Sequence, residues 1–283
     1  MDSRYIVDKN FLRQRTYRFL LYILLFAGCA IMLLPFFWMV TTSLKTSSEV
    51  MQFPPKWIPS HLQWINYIKA WNAAPFGYYF FNSFFIAIIT TIGDVITSIL
   101  AAYAFAKMRF FGKNVLFSIM LGTLMIPGEM LLVPNYVTIT RLHWYDHYQA
   151  LIIPWLASVF GIFLLRQFFR SIPDELLDAA RIDGCSRFRF LWKIVVPLSK
   201  PAITTVALLK FIGSWNAFLW VLIMTSSPKM RTVPVGLTYF SSDIGTVYEQ
   251  LMAAAVLAII PILILFFFTQ KQFIQGVART GIK

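Results

Sequence analysis

The sequence predicts an all-α polytopic membrane protein with six transmembrane helices. Three observations predict it. Of 283 residues, 58% are hydrophobic and only 13% are charged, where a soluble domain carries about a quarter charged residues. The apolar residues gather in runs long enough to cross a bilayer. The basic residues sit in clusters between those runs. If the runs cross in alternation, the inside segments hold 18 of the 25 Lys and Arg, and the outside segments hold Lys45, Lys56, Lys69, Arg141, Lys229 and Arg231. That asymmetry is the positive-inside pattern. It assigns the net charge of +13 to a membrane surface and argues against nucleic acid as a partner.

Residues 1–18 carry Arg4, Lys9, Arg13, Arg15 and Arg18 and read as a cytoplasmic tail. The first span is expected at residues 19–40, whose 22 residues rise about 33 Å at 1.5 Å each. No small-residue cleavage site follows it, so it reads as a retained span and not a signal peptide. Residues 41–79 form an outside segment with Pro54, Pro55, Trp57, Trp64 and Trp71. Its aromatics suit the headgroup zone, and an amphipathic helix is expected around Trp64 to Trp71. The second span is expected at residues 80–106, closed by Lys107, Arg109 and Lys113. The third, at 114–137, is interrupted by Pro127-Gly128, which predicts a kink or a half-helix. A short outside loop, HWYDH at 143–147, precedes the fourth span at 149–166. The fifth is expected at 202–225 and the sixth at 251–269, with Pro261 as a kink. Residues 272–283 read as a cytoplasmic tail, so both ends are expected inside and residues 19–271 form the transmembrane domain. Cys29 and Cys185 fall in membrane and cytoplasm and read as unpaired.

The polar exception is residues 171–201, SIPDELLDAARIDGCSRFRFLWKIVVPLSKP. Ser171 is placed to cap a helix, with Pro173 in the first turn and Asp174 three residues on. Asp174 and Glu175 favour the positive end of that helix. Leu176, Leu177, Ala179 and Ala180 supply a small apolar face. Gly184 stops the helix where a positive φ is wanted. Ser186 caps a second helix, with Phe188, Leu191, Trp192 and Val195 expected on one face. Read from the residues alone, this elbow either rests on lipid headgroups or docks on a partner.

The stretch resembles the coupling motif of binding-protein-dependent ABC importer permeases, Glu-Ala-Ala, three residues, Gly, nine residues, Ile-x-x-Pro. Here it reads Asp178-Ala179-Ala180, Gly184, Ile194 and Pro197, with Asp178 in place of Glu and Asp183 before the glycine as in the sugar-type branch. SWNAFLW at 214–220 resembles a signature of the fifth helix, with Val221 where the family often has Pro. QGVARTGIK resembles the Gly-rich end of sugar-importer permeases of the oligosaccharide and glycerol-3-phosphate branch.

The resemblance implies a type I ABC importer transmembrane domain whose coupling helix, through Glu175, Asp178, Ala179, Ala180, Asp183 and Gly184, seats on an ATPase. It implies that Gln275, Gly276 and Gly281 reach the ATPase interface, although composition alone also allows a basic tail near anionic lipid. It implies a second permease in a heterodimer, an ATPase dimer, an extracytoplasmic solute-binding protein and a bacterial or archaeal cell membrane. The sequence has no GxxxxGK[ST] loop. ATP and Mg²⁺ are therefore expected on the partner, with no cofactor and no catalytic residue in this chain.

Ionisable groups inside apolar helices usually face a cavity or a partner. Asp94 and Lys210 fall at compatible depths, so they are expected to pair or to border the solute pathway. Glu129, beside the Pro127-Gly128 break, fits an outer gate or a hydrated loop end. Trp215 and Asn216 offer an aromatic face and an amide for a sugar, though helical aromatics also serve packing. His143 and His147 lack the Glu of a zinc-protease motif and an evident third ligand, so no metal is expected.

A stand-alone, proton-coupled secondary transporter is the alternative, with Asp94, Glu129 and Lys210 carrying protons. Such folds show paired inverted repeats with breaks at matching positions, and the breaks at Pro127 and Pro261 do not pair. A membrane enzyme is a third reading, without a converging acid, nucleophile and metal set.

Overall fold

The computed structural model describes residues 3–242 and 245–280, with side chains described for 17–241 and 245–271. Four helical segments are long and apolar enough to cross a membrane: Tyr17–Ser43, Phe76–Lys107, Tyr148–Arg170 and Tyr248–Lys271. Two helix pairs meet the same test only together and are sharply bent, Lys113–Thr123 with Gly128–Arg141 at 89°, and Arg187–Leu198 with Lys200–Trp215 at 81°. The count reaches six when each bent pair is one crossing.

The chain divides into two compact units, Met1–Ala70 with Phe240–Leu257, and Trp71–Tyr239 with Ala258–Lys283. In the first unit, α1 (Ser3–Ser43) leads into α2 (Ser47–Val50), which opens with a capping box between Thr46 and Glu49. Lys45 is buried. Its ammonium donates to the Lys56 carbonyl at 2.6 Å and lies 3.9 Å from the centre of the Trp38 ring. The Asn66 amide on α3 (Ile65–Ala73) donates to the Ser43 and Lys45 carbonyls at 2.9 and 2.8 Å. Hydrogen bonds from Ser60, and then from the Thr46 backbone, hold the Glu49 carboxyl down to about 2. Ser47 hydrogen-bonds Glu249, and Ser241–Ser242 pairs with Gly245–Thr246 in a two-stranded antiparallel hairpin. The outer helix expected around Trp64 is therefore present as α3.

The second unit is organised on α4 (Phe76–Lys107). After it come α5 (Lys113–Gly122), α6 (Leu132–Arg141), α7 (Tyr148–Ile152) and α8 (Val159–Arg170). The polar elbow forms α9 (Glu175–Ile182), α10 (Arg187–Phe190) and α11 (Val196–Leu198). Then follow α12 (Lys200–Trp215), α13 (Leu219–Met224), α14 (Val233–Gly236) and α15 (Tyr248–Thr280), the last shared with the first unit. One apolar cluster joins Ile99, Tyr103, Leu165, Phe169, Leu177, Phe190, Val195 and Val206 at the elbow end. A second joins Ile86, Ile139, Leu151, Val221 and Met224 at the other end. Gly161 allows the close approach of α8 to α4: a Cβ there would lie 2.6 Å from the Ser98 hydroxyl.

Several sequence expectations change. The fourth span is not one helix: Pro154 tightens Ile153–Trp155 into a 3₁₀ turn, and Ser158 caps α8 by accepting from the Gly161 N–H. The fifth is not continuous over 202–225, because α12 ends at Trp215 and α13 starts at Leu219. At 16 residues α12 rises only about 24 Å, short of the hydrocarbon core on its own. The interruption after Met125, ahead of Pro127, occurs as expected, with a 3₁₀ turn at Gly128–Leu131 before α6. Pro261 stands inside the continuous α15.

Candidate functional site: the elbow and the polar interior

Ser171 does not cap the elbow helix. Its hydroxyl turns back to the Phe168 carbonyl at 2.7 Å and closes α8, and Asp174 occupies the N-cap of α9. Pro173 explains the shift, because it fixes extended backbone for the residue before it. Leu177 and Ala180 are buried in the elbow cluster. Glu175, Leu176, Asp178, Ala179, Ile182, Asp183 and Gly184 are exposed. The helix thus has an anchored stripe and a free face, and Ile182 is the most exposed apolar residue on it, at 87%. Ala180 sits on the anchored side, one of the six residues expected at the ATPase contact.

Gly184 has φ of +69° and turns the chain. Its N–H donates to the Arg181 carbonyl at 3.0 Å, and the Cys185 N–H donates to Ala180 at 2.8 Å. These bonds satisfy carbonyls that the helix end leaves open. Asp178 accepts from Arg181 at 3.0 Å. Ser186 caps α10 as expected by accepting from the Arg189 N–H. The stripe that follows differs from the expected one. Leu191–Val195 is a π turn, wider than an α turn, and Phe190, Leu191 and Val195 are buried in the cluster. Phe188 and Trp192 turn outward and pack edge to face at 6.1 Å.

The elbow is tied to the second span by one lysine. Lys107, the last residue of α4, donates to the Ile172 carbonyl and to Asp174 Oδ1, both at 2.6 Å. The Lys107 side chain is 4% exposed and the Asp174 side chain 78%. The hydrogen bond and charge of Lys107 hold the Asp174 carboxyl below the usual range.

Within the spans, Asp94 is buried, and one of its oxygens accepts from the Ser158 hydroxyl at 3.2 Å. Asp94 and Lys210, expected either to pair or to border the pathway, attract each other electrostatically, but their charged atoms lie farther apart than a direct ion pair. The ion pairs among the described residues are Lys56–Glu49, Lys107–Asp174 and Arg181–Asp178. The unwound residues before α8 bring Ser158 to Asp94 first. Lys210 instead borders a cavity of about 250 Å³ with Trp155, Ser214, Trp220 and Thr232, its ammonium 5.6 Å from the centre of the Trp155 ring.

Trp215 does not face that cavity. It is 2% exposed, donates its indole N–H to the Ala258 carbonyl at 3.2 Å, and packs edge to face on Phe84 at 4.8 Å. The tryptophans that do line it are Trp155 and Trp220, edge to face at 5.5 Å, with the Trp220 indole fixed to the Ala150 carbonyl. Sequence reasoning passed over them. The signal was Pro154, which unwinds the backbone and frees Trp155. Asn216 is exposed at the α12–α13 break, and Glu129 is exposed in the 3₁₀ turn Gly128–Leu131.

The HWYDH loop is built on Asp146, whose carboxylate accepts from the Ser226 and Ser227 N–H groups at 3.0 and 3.1 Å. Burial raises this carboxyl, but those hydrogen bonds together outweigh it and leave it lowered. His147 Nδ1 shares a hydrogen bond with the Tyr145 carbonyl. Gln275 and Gly276 lie on α15, but the Gln275 side chain, and all of Gly281, lie outside the described residues.

Residues 94–279, which carry the elbow, match the family described as binding-protein-dependent transport system inner membrane component. The chain belongs to that family of permeases. It is similar to the sn-glycerol-3-phosphate transport system permease protein UgpE of Yersinia enterocolitica, 37% identical over 90% of this chain and 94% of that one. It is similar to the arabinooligosaccharides transport system permease protein AraQ of Bacillus subtilis, 35% identical over 89% and 90%. The sulfoquinovosyl glycerol transport system permease protein SmoH of Agrobacterium fabrum is 34% identical over 89% of each chain. Among solved structures, a chain of a bacterial ABC transporter involved in import of the acidic polysaccharide alginate superposes with a TM-score of 0.82. It is 25% identical, over 92% of this permease and 98% of that chain. The permease is thus a multi-pass inner-membrane transport subunit of an ABC importer and not an enzyme. These relatives give no support to a stand-alone secondary transporter.

Proposed function

We propose that this permease is one half of a heterodimeric channel that moves a sugar, an oligosaccharide or a related polyhydroxylated solute by alternating access. The observation that carries the proposal is the division of α9 into a buried stripe, Leu177 and Ala180, and an exposed acidic and apolar face. An ATPase cleft grips Leu176, Ala179 and Ile182 by apolar contact, while Glu175, Asp178 and Asp183 meet its basic groups. The ATPase dimer holds ATP and Mg²⁺, and this chain holds no cofactor. Closure of that dimer moves α9. The buried stripe and the Lys107–Asp174 pair pass the displacement to α8, α10 and α4 as one packed body.

Both termini lie in the cytoplasm, and a solute-binding protein docks on the outer loops. The carbohydrate class rests on the relatives named above and on the Trp155–Trp220 cavity, whose aromatic faces, hydroxyls and ammonium suit a polyol. Uptake by the assembled, co-purified complex in proteoliposomes tests the proposal. Transport is expected only with ATP and loaded binding protein. Solute movement by this polypeptide alone, driven by a proton gradient, would overturn it.

A further inference from the structure

The end of the second unit that carries the elbow holds a recess of about 520 Å³ lined by Lys107, Lys113, Asn114, Arg166, Arg170 and Asp174. Asp174 is its one acid, and Lys107 already occupies it. Lys113, Arg166 and Arg170 therefore converge without a carboxylate partner among the described residues. Arg166 is 8% exposed. Its Nε donates to the Phe105 carbonyl at 3.2 Å, and its guanidinium lies flat on Phe117, 3.7 Å from the ring centre. Lys113 is held by the Met108 carbonyl at 2.9 Å. These contacts aim the cations and leave their charge unbalanced. Like charges gathered beside apolar helices are costly unless an anion joins them.

The surroundings say which anion. Arg166 precedes the end of α8 by four residues, about 6 Å along the helix, so the recess reaches about one turn back along that apolar helix. Phe111 protrudes fully exposed from the α4–α5 loop, between Arg109 and Lys113, and Phe110 beside it is 40% exposed. An exposed aromatic pair among basic residues belongs at the headgroup level of a bilayer. A phosphate that is already at that level, and already attached to acyl chains, is a phospholipid headgroup.

We infer that the recess bounded by Lys113, Asn114, Arg166 and Arg170 is a binding site for the headgroup of an anionic phospholipid. The phosphate takes charge-assisted hydrogen bonds from the two arginines and the lysine. Asn114 offers an amide to the headgroup, and the acyl chains run along the apolar faces of α4 and α5. Because Lys107 and Asp174 form one wall, the lipid abuts the joint between the second span and the elbow. The inference does not depend on the identity of the solute.

Lipid adducts counted by native mass spectrometry on the full chain, purified with its partners and delipidated, test this site. The probes are phosphatidylglycerol, phosphatidylcholine and inorganic phosphate. Phosphatidylglycerol is expected to bind at least tenfold more tightly than phosphatidylcholine. The double variant K113Q/R170Q should abolish that preference, because two basic residues near a membrane surface are worth a factor of about 30 in affinity. The charge-conserving K113R/R170K should keep it, and Arg166 is left intact because it is packed. No anionic preference in the parent would overturn the site. So would an equal preference in parent and K113Q/R170Q, or displacement of the lipid by millimolar inorganic phosphate. Loss of the ATPase from K113Q/R170Q with lipid binding unchanged would assign the recess to protein contact and overturn it as well.

Discussion

Lys107 Nζ lies 2.6 Å from Asp174 Oδ1 and 2.6 Å from the Ile172 carbonyl, and so joins the last residue of α4 to the start of the elbow. Asp174→Asn removes an ion pair whose carboxylate is largely exposed, so its stability cost should stay within about 1 kcal/mol. Lys107→Gln also leaves the Ile172 carbonyl short of a donor and should cost about 1 kcal/mol more. Both variants should keep the ATPase bound yet transport less solute per ATP, measured in proteoliposomes. The Asp174 carboxyl is lowered on folding from an ordinary value of 3.8. Its contribution is complete above that value and lost as pH falls through the lower folded one, so the coupling ratio should be flat between pH 5 and 8 as far as this pair is concerned.

Ala179 and Ala180 are neighbours with opposite environments, one exposed and one 6% exposed in the apolar cluster. Ala180→Leu forces volume into packed surroundings and should cost about 1–3 kcal/mol, read as a lower melting temperature of the purified complex. Ala179→Leu should leave the melting temperature within experimental scatter and weaken ATPase co-purification instead.

Gly184 adopts φ of +69° with open space around the position of a Cβ. Gly184→Ala should therefore cost about 1–2 kcal/mol through backbone strain and not through a clash. Gly184→Asn, which tolerates this conformation better, should recover much of the loss. Thermal unfolding of the three proteins checks the order.

Asp94 is hydrogen-bonded to Ser158 and forms no ion pair with Lys210. In double-mutant cycles on stability, Asp94→Asn and Ser158→Ala should couple by about 1 kcal/mol. Asp94→Asn with Lys210→Gln should couple by a comparable amount, because the two charges attract each other across more than ion-pair distance. A larger Asp94–Lys210 term would mean that the two charges meet directly.

Much of this was legible in the residues. The capping signal at Ser186, the turn glycine Gly184 and the break at Pro127 are local devices, and the chain uses them as the spacing predicts. The apolar runs likewise located the long helices Tyr17–Ser43, Phe76–Lys107 and Tyr248–Lys271 to within a few residues. What was not legible depends on tertiary context. Ser171 had the chemistry of a cap, but the helix before it claimed the hydroxyl. Asp94 and Lys210 matched in depth, but depth does not report azimuth, and the unwound segment at Ser158 reached Asp94 first. Trp215 and Trp220 are five residues apart, and nothing in their spacing tells which is buried and which faces the cavity. The α12–α13 break at Asn216 decided it. The π turn at Leu191–Val195 gave no sequence signal, and the expected stripe divides, with Leu191 and Val195 buried and Phe188 and Trp192 exposed.

Cysteine crosslinking from Ile182, the outermost apolar residue of the elbow helix, tests most directly whether force enters there. Ile182→Cys should join to the ATPase in the assembled transporter, with a yield that changes between ATP-bound and nucleotide-free states, and the tether should stop uptake. Crosslinks that form only to lipid-anchored reagents, in a complex that goes on transporting at its normal rate, would contradict the account.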